Sequence, residues 1–517
     1  MINSSRTNKQ TLNILTSIIF EVVTVISGLI LPRLILTHFG SAYNGIISST
    51  TQFLSAISIL TLGVSGSTRA ALYKPLSKHD VNSVSSIVRA TELYMHKVGY
   101  CLLLYIIILS ILYPLFVKTG FNYSDISLLV VAVGINSFGN YFYGTTYLAL
   151  LSADQRIYIS NIFSILSTIL ALVISIILIN IGYSIQTIKL TSSIVFFLKP
   201  FIQKIYVVKF FKLKKNCLPD NNALSKRKEV LAHSIANIVH DNTDIIVLTV
   251  FCDVKIVSVY TIYNFIATTL KKIQTIFTNG SEAIFGNMWA KGEREDIRKG
   301  LEFYEFFIMK LVSIVFSSGI ILILPFVSLY TKGVNDVEYV LPLYSIFILI
   351  AQAFYSFRAP YVSLVQGVGH YKETRNGAIL EAFINIFISV ILVRYLGILG
   401  VAIGTLFANI FRTIQYAIYV DNYLVNRGKA SFSCKILETV IEITVISCIG
   451  KMLLDPISNI NWTYWIISSF ASITLSAFIS TIFSIIFYRN NLVTFVQLII
   501  NIISKYNYLV RYRDYNE

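Results

Sequence analysis

Apolar residues run along this chain in blocks of about twenty or more, parted by short polar links. A helix needs roughly 20 such residues to cross a bilayer core, because its backbone polar groups find no water there. Fourteen blocks meet that length, near residues 12–37, 44–68, 98–117, 126–151, 157–181, 184–208, 230–252, 256–284, 303–330, 339–366, 376–395, 398–424, 436–455 and 463–488. The pattern predicts an all-α integral membrane protein with about 14 transmembrane helices. The first block reads as a span and not as a cleavable leader, being long and interrupted by Glu21, Pro32 and Arg33.

Composition agrees. Hydrophobic residues make up 55% of the 517 and charged residues only 13%, with a mean hydropathy of +0.70. A soluble domain carries roughly 25% charge, so a water-exposed surface of this size could not be covered. The net charge of +16 raises nucleic acid as a partner. Its distribution removes that reading. Even-numbered links and the termini hold most of the Lys and Arg, whereas the opposite side and its margins hold only Arg33, Lys118, Lys255, Lys332, Arg394 and Lys451. By the positive-inside rule both termini are cytoplasmic, in the cell membrane.

No link is long enough for a soluble domain. Two polar-apolar stretches, Leu72–Lys97 and the tail from Leu492, read as amphipathic segments in the headgroup layer. Cys101, Cys217, Cys252, Cys434 and Cys448 have no ligand spacing, and the six histidines are scattered, so neither a disulfide framework nor a metal or cofactor site is indicated.

An internal duplication is visible. "LSADQRIYISN" (Leu151–Asn161) links spans four and five, and "VQGVGHYKETRN" (Val365–Asn376) links ten and eleven. "NIGYS" (Asn180–Ser184) and "YLGILG" (Tyr395–Gly400) follow in the same order. The expectation is two pseudo-symmetric six-helix lobes plus two C-terminal helices: residues 1–209 as N-lobe, 210–228 as a basic cytoplasmic linker, 229–424 as C-lobe, and 425–517 as two extra spans with an amphipathic tail.

Polar groups inside spans carry the candidate chemistry, because an ionised side chain there normally faces a partner or a wet cavity. Span one aligns Ser17, Glu21, Thr24 and Gly28 on one helical face, and span two Thr51, Ser55, Ser58, Ser65 and Arg69. Span seven aligns His233, Asn237, His240 and Asp244 beside Asp241 and Asn242; span eight aligns Tyr260, Asn264, Thr268, Lys271 and Thr275 beside Lys272. Face-to-face halves would bring these four helices to one shared cavity. For the hydroxyl residues helix packing is an equal alternative, and for the lysines snorkelling to the interface. Glu21 is the best protonatable group, with His240, Asp241 and Asp244 as further ion-coupling candidates. The acids could instead pair with the lysines. Arg33 and Arg394 lie near the outer face, where anchoring is the alternative. In the second half, Gln352, Arg358, Glu381, Asn385 and Arg412 are also intramembrane, and Arg358 with Glu381 reads as a structural ion pair.

Three stretches carry a family resemblance. They are "LPRLILTHFGSAYNGIISS" (Leu31–Ser49), "DIIVLTVFCDVKIVSVYTIYNF" (Asp244–Phe265) and "QGVGHYKETRNGAILEAFINIFISVILVRYLGILGVAIGTLFANIFR" (Gln366–Arg412). Together they resemble the polysaccharide-transport family, the O-antigen or repeat-unit flippases of the multidrug/oligosaccharidyl-lipid/polysaccharide exporter superfamily. The resemblance implies two lobes alternating between inward- and outward-open states, no enzymatic activity, and a repeat-unit oligosaccharide on undecaprenyl diphosphate as substrate. It implies a cationic cavity for the diphosphate, matched here by Arg69 and Lys271, then Arg33 and Lys272, with Asn264 beside them. Membrane lipids, a coupling H+ or Na+ and the polysaccharide polymerase machinery follow as partners.

Two other readings compete. A small-cation drug exporter of the same superfamily would want acidic, aromatic cavity walls and twelve spans. A membrane-embedded polymerase or glycosyltransferase would want a large outer loop or a catalytic domain with clustered acids, and no such loop occurs here.

Overall fold

The computed structural model describes residues 6–117, 120–214, 217–220, 242–278, 280–427, 430–454, 461–498 and 500–501; among them helices dominate and no strand occurs. The first half holds α1 (Arg6–Phe39), α2 (Ser41–Ser55), α3 (Val64–Ser77), α4 (Val81–Phe116), α5 (Tyr123–Gly139), α6 (Thr145–Ala153), α7 (Ile157–Ile181) and α8 (Ile185–Phe210). After them come α9 (Asn242–Phe251), α10 (Val254–Thr278), α11 (Ser281–Lys291), α12 (Arg294–Tyr330), α13 (Pro342–Phe357) and α14 (Ala359–Val368). The series ends with α15 (Tyr371–Leu396), α16 (Ile398–Val420), α17 (Ala430–Leu454) and α18 (Trp462–Phe487).

Ten helical stretches among the described residues are long and apolar enough to cross a membrane, eleven when the bent pair Ser41–Thr61 and Val64–Ser77 counts as one. This is a multi-pass membrane protein. Helices α10 and α17 coincide with expected spans but are not among those ten; three lysines in the first, and Lys435, Glu438 and Glu442 in the second, dilute their apolar character.

Backbone turns repeat along the chain. Left-handed residues end or interrupt helices at Gly63, His79, Gly120, Gln155, Gly182 and Lys212. They recur 213 to 217 positions later at Gly280, Gly292, Gly333, Gly369, Gly397 and Asn426, in the same order. Positive φ is strained for residues with a Cβ, so five of the second set and half of the first being glycine follows from sterics. Gly63 and Gly280 matter most. Each starts a new short helix after a long one, so that α3 follows α2 and α11 follows α10 across a break.

Two compact units result. The first comprises Met1–Ile262, Tyr330–Tyr339 and Ala378–Gly404, and the second Tyr263–Leu329, Val340–Gly377 and Thr405–Glu517. In the first, Leu102 and Ile106 of α4 pack on Leu129 and Val130 of α5, and Ser175 of α7 bonds Ser192 of α8 at 2.8 Å. In the second, α18 presents buried Ser468, Ser472, Ser476, Ser480 and Ser484 at every fourth position. Ser476 meets Ser317 and Ser318 of α12 at 3.2 and 3.0 Å. Small hydroxyl residues let lipid-embedded helices approach closely while satisfying one another.

One expectation is corrected. Leu72–Lys97 is not one segment lying free on the surface. It comprises the end of α3, a turn, and the first half of α4, which Asp80 caps by accepting from the Asn82 and Ser83 amides at 3.1 Å. Val84, Ile87, Val88, Thr91, Glu92 and Met95 of that stretch are buried, because they fall on one face of a continuous helix.

Candidate functional site

Polar residues of α2 close a seam within the first unit. Asn44 Nδ2 donates to Ser258 Oγ at 2.8 Å, and Ser49 Oγ lies 2.8 Å from Thr249 Oγ1. One turn further along, Gln52 and Ser55 both donate to the Asn242 side-chain oxygen. At the other end, the Ser41 amide and hydroxyl donate to Asp336 at 2.9 and 2.5 Å, and Tyr339 Oη bridges Ser41 and Ser258 at 2.6 and 3.1 Å. Burial, reinforced by the Asp336 charge, pushes the Tyr339 phenol up, so it stays a neutral donor. Closeness here depends on Gly45: a Cβ at that position would sit 1.9 Å from the Val254 carbonyl oxygen. Helix α2 thus meets α9, α10 and the link after α12 through hydrogen bonds of neutral side chains and the Asp336 carboxylate.

The other candidates divide between the two units. Arg33 donates to the Lys332 carbonyl at 2.9 Å and lies 5.9 Å from the Tyr330 ring, while its Nη1 is buried without a hydrogen-bond partner. Arg69 falls beyond the break at Gly63, exposed on α3, with Ser152 Oγ at 3.4 Å. Glu21 is half-buried on α1. Asp244 is buried and accepts from Tyr260 at 3.0 Å. In the second unit, Lys271 Nζ stands 4.1 Å from the Tyr355 ring, a cation–π contact, and Arg358 stacks on the same ring at 3.9 Å. Asn264 is half-buried and Lys272 exposed. His233, Asn237, His240 and Asp241 lie outside the described residues.

Several stripe members are spent on packing. Thr24, Thr51, Thr268 and Thr275 donate to carbonyls three or four residues back, and Ser17 accepts from Asn161 of α7 at 2.9 Å. Arg412 is fully buried and structural, donating to the Thr374 carbonyl at 3.0 Å and to Tyr416 at 2.8 Å.

Three buried charge clusters were not found by reading the spans. On α4, Glu92 accepts from Lys204 of α8 at 2.8 Å, from Tyr147 of α6 at 3.0 Å and from Arg89 at 3.1 Å. Its counterpart 213 positions later, Glu305 of α12, is held by Arg427 and by Lys435 at 2.7 Å, next to buried Tyr361. The third joins Lys310 to Glu438 and Glu442 of α17 at 2.8 and 2.5 Å. A signal existed for the first: Glu92 shares a helical face with Val84, Val88 and Met95, and an acid on an apolar face requires a partner.

No family model and no curated relative matches the chain. Solved structures do. The lipid II flippase MurJ in an inward closed conformation superposes with a TM-score of 0.67 at 13% identity, over 92% of this chain and 99% of its own. An inward-facing multidrug resistance MATE transporter of the MOP superfamily gives 0.57 at 13%, over 80% and 94%. A variant MATE transporter of Vibrio cholerae, VcmN, gives 0.51 at 14%, over 82% and 96%. The chain therefore has the fold of a membrane transporter. More narrowly, it is the fold shared by the MurJ and MATE structures of the MOP superfamily.

Proposed function

We propose that this protein is a flippase that carries an undecaprenyl-diphosphate-linked oligosaccharide repeat unit across the cytoplasmic membrane by alternating access, for surface polysaccharide such as O-antigen or capsule. The observation that carries the reading is coverage. A lipid-linked substrate flippase superposes on 92% of this chain, against 80% and 82% for the two drug-transporter structures. The repeated left-handed turns support two six-helix lobes, residues 1–209 and 229–424, joined by the 210–228 linker and followed by two further spans in 425–517, fourteen in all. Both termini are cytoplasmic in this reading.

Arg33, Arg69, Asn264, Lys271 and Lys272 are the proposed contacts to the diphosphate and sugars. Lys271 leads them, because among the described residues its ammonium rests on an aromatic face, from which a phosphate would draw it readily. Glu21, His240, Asp241 and Asp244 are the proposed coupling groups for H+ or Na+, and the polysaccharide polymerase machinery would receive the product.

The test is Lys271→Glu in the intact chain, read as surface glycan in cells and as flipping of a lipid-linked oligosaccharide in proteoliposomes. Charge reversal is expected to reduce both at least tenfold with membrane insertion unchanged. Normal flipping removes Lys271 from the mechanism. Drug hypersensitivity of cells lacking the gene, with intact glycan, would favour the exporter reading instead; single-unit surface glycan would favour a polymerase.

A further inference from the structure

The two equivalent glutamates, Glu92 and Glu305, sit in very different surroundings. Glu305 is sealed: its side chain has 0% exposure, Arg427 has 5%, and Arg427 also bonds Asp421 at 2.9 Å. Two cations, Arg427 and Lys435, face two carboxylates there, so that cluster is charge-balanced and closed. Around Glu92 the first unit instead leaves a cavity of about 510 Å³ between α4, α6 and α8. That volume lies within the range of small-ligand sites.

Its wall is unbalanced in charge. Arg89, Lys204, Lys209 and Lys214 line it, against the single carboxylate of Glu92. Glu92 is already engaged by Arg89, Lys204 and Tyr147, and Lys204 also faces the Tyr143 ring at 4.5 Å. Lys209 and Lys214 are exposed, and neither forms an ion pair among the described residues, although the Asp220 amide donates to the neighbouring Ser86 carbonyl of α4 at 3.2 Å. The surplus positive charge thus borders an open volume where the apolar run of α8 gives way to lysines, which is the level of a membrane surface.

One further feature selects the ligand. Phe201 and Ile205 line the same cavity and are each 43% exposed. An apolar, outward-facing rim on a membrane helix is a path for acyl chains, whereas a soluble anion needs none. We propose that this cavity is a seat for the headgroup of an anionic phospholipid, its phosphate held by Lys209, Lys214 and Arg89 and its chains running over Phe201 and Ile205. Basic pockets between membrane helices are suited to such headgroups. This site is separate from the proposed substrate contacts, and it stands whether or not the protein is a glycan flippase.

The experiment is native mass spectrometry of the full chain with phosphatidylglycerol, with phosphatidylcholine, and with inorganic pyrophosphate as a soluble competitor. The wild type is expected to retain phosphatidylglycerol over phosphatidylcholine, with pyrophosphate displacing little of it. The double variant Lys209→Gln/Lys214→Gln should lose phosphatidylglycerol affinity roughly 30-fold, the effect of removing two surface cations. Both side chains are exposed, so folding is not at stake, and an unchanged melting temperature checks this. The control Lys291→Gln/Lys299→Gln removes the same charge from α11 and α12 and should change retention little. Equal retention of the two lipids overturns the proposal, as does an unaffected double variant. An equal loss in the control means general charge attraction, and complete displacement by pyrophosphate means a soluble anion; either also overturns it.

Discussion

Lys310 Nζ lies between two carboxylates, Glu438 and Glu442, and Glu442 has no exposed side-chain area. Removing one partner of a buried pair leaves an uncompensated charge, which costs about 3–5 kcal/mol, whereas replacing the whole set with apolar groups of similar volume is often neutral. Lys310→Met should therefore lower the thermal unfolding midpoint clearly, because Glu438 and Glu442 then lack their cation. The triple variant Lys310→Met/Glu438→Leu/Glu442→Leu should recover most of that loss. A single variant as stable as wild type would show that the pair carries no such weight. At this scale the sequence was only partly legible. It marks which charges lie inside spans, but partners far apart in the chain, such as Glu305 with Arg427, cannot be matched from spacing. Arg412 illustrates the limit: it has the same sequence appearance as a ligand-binding arginine, yet its donors go to Thr374, Gln415 and Tyr416.

Helix positions were far more legible than helix breaks. Apolar length alone marks where a chain can cross a bilayer, and α1, α7, α8, α15, α16 and α18 fall where that length placed them. Breaks are set by single residues. Leu62 and Gly63 divide the second expected span, and the αL conformation of Gly63 redirects the chain into α3. Nothing in the hydropathy marks such a point, since glycine is tolerated within membrane helices. Gly45 is a second case, with a different cause: its missing Cβ lets α2 lie against the start of α10. Gly45→Ala would force the two apart by more than a soft side chain could absorb, because the obstacle is the Val254 backbone. Overpacking of this kind costs about 1–3 kcal/mol. The expected outcome is a lower melting temperature together with faster amide exchange at Ser258 and Val259 than in wild type; unchanged exchange would show that the helices reseat at no cost.

For the whole molecule, the alternating access proposed above would have to break the polar seam of the first unit. It joins α2, from the first repeat, to α9, α10 and the link containing Asp336 and Tyr339, from the second. Its bonds are neutral or involve a single carboxylate. Hydrogen bonds of this kind contribute about 0.5–1.5 kcal/mol net each, so a handful can hold a state without trapping it. A buried ion-pair network such as that around Glu305 would be a poorer gate, because opening it would strand charges. The sequence had assigned the serines of span two to a cavity wall or to packing, and it could not choose, since both roles want small hydroxyls at helical spacing. Of them, Ser55 is engaged in packing, donating to Asn242. The seam can be locked chemically: Ser49 Oγ and Thr249 Oγ1, both at the position a cysteine sulfur would take, are 2.8 Å apart, so Ser49→Cys/Thr249→Cys in a background without the five native cysteines places two thiols within reach. Oxidation should abolish flipping in proteoliposomes, reductant should restore it, and each single variant should be indifferent to both. If the cross-linked protein transports at the reduced rate, the seam stays shut throughout the cycle, and the movement that passes the substrate must occur elsewhere in the chain.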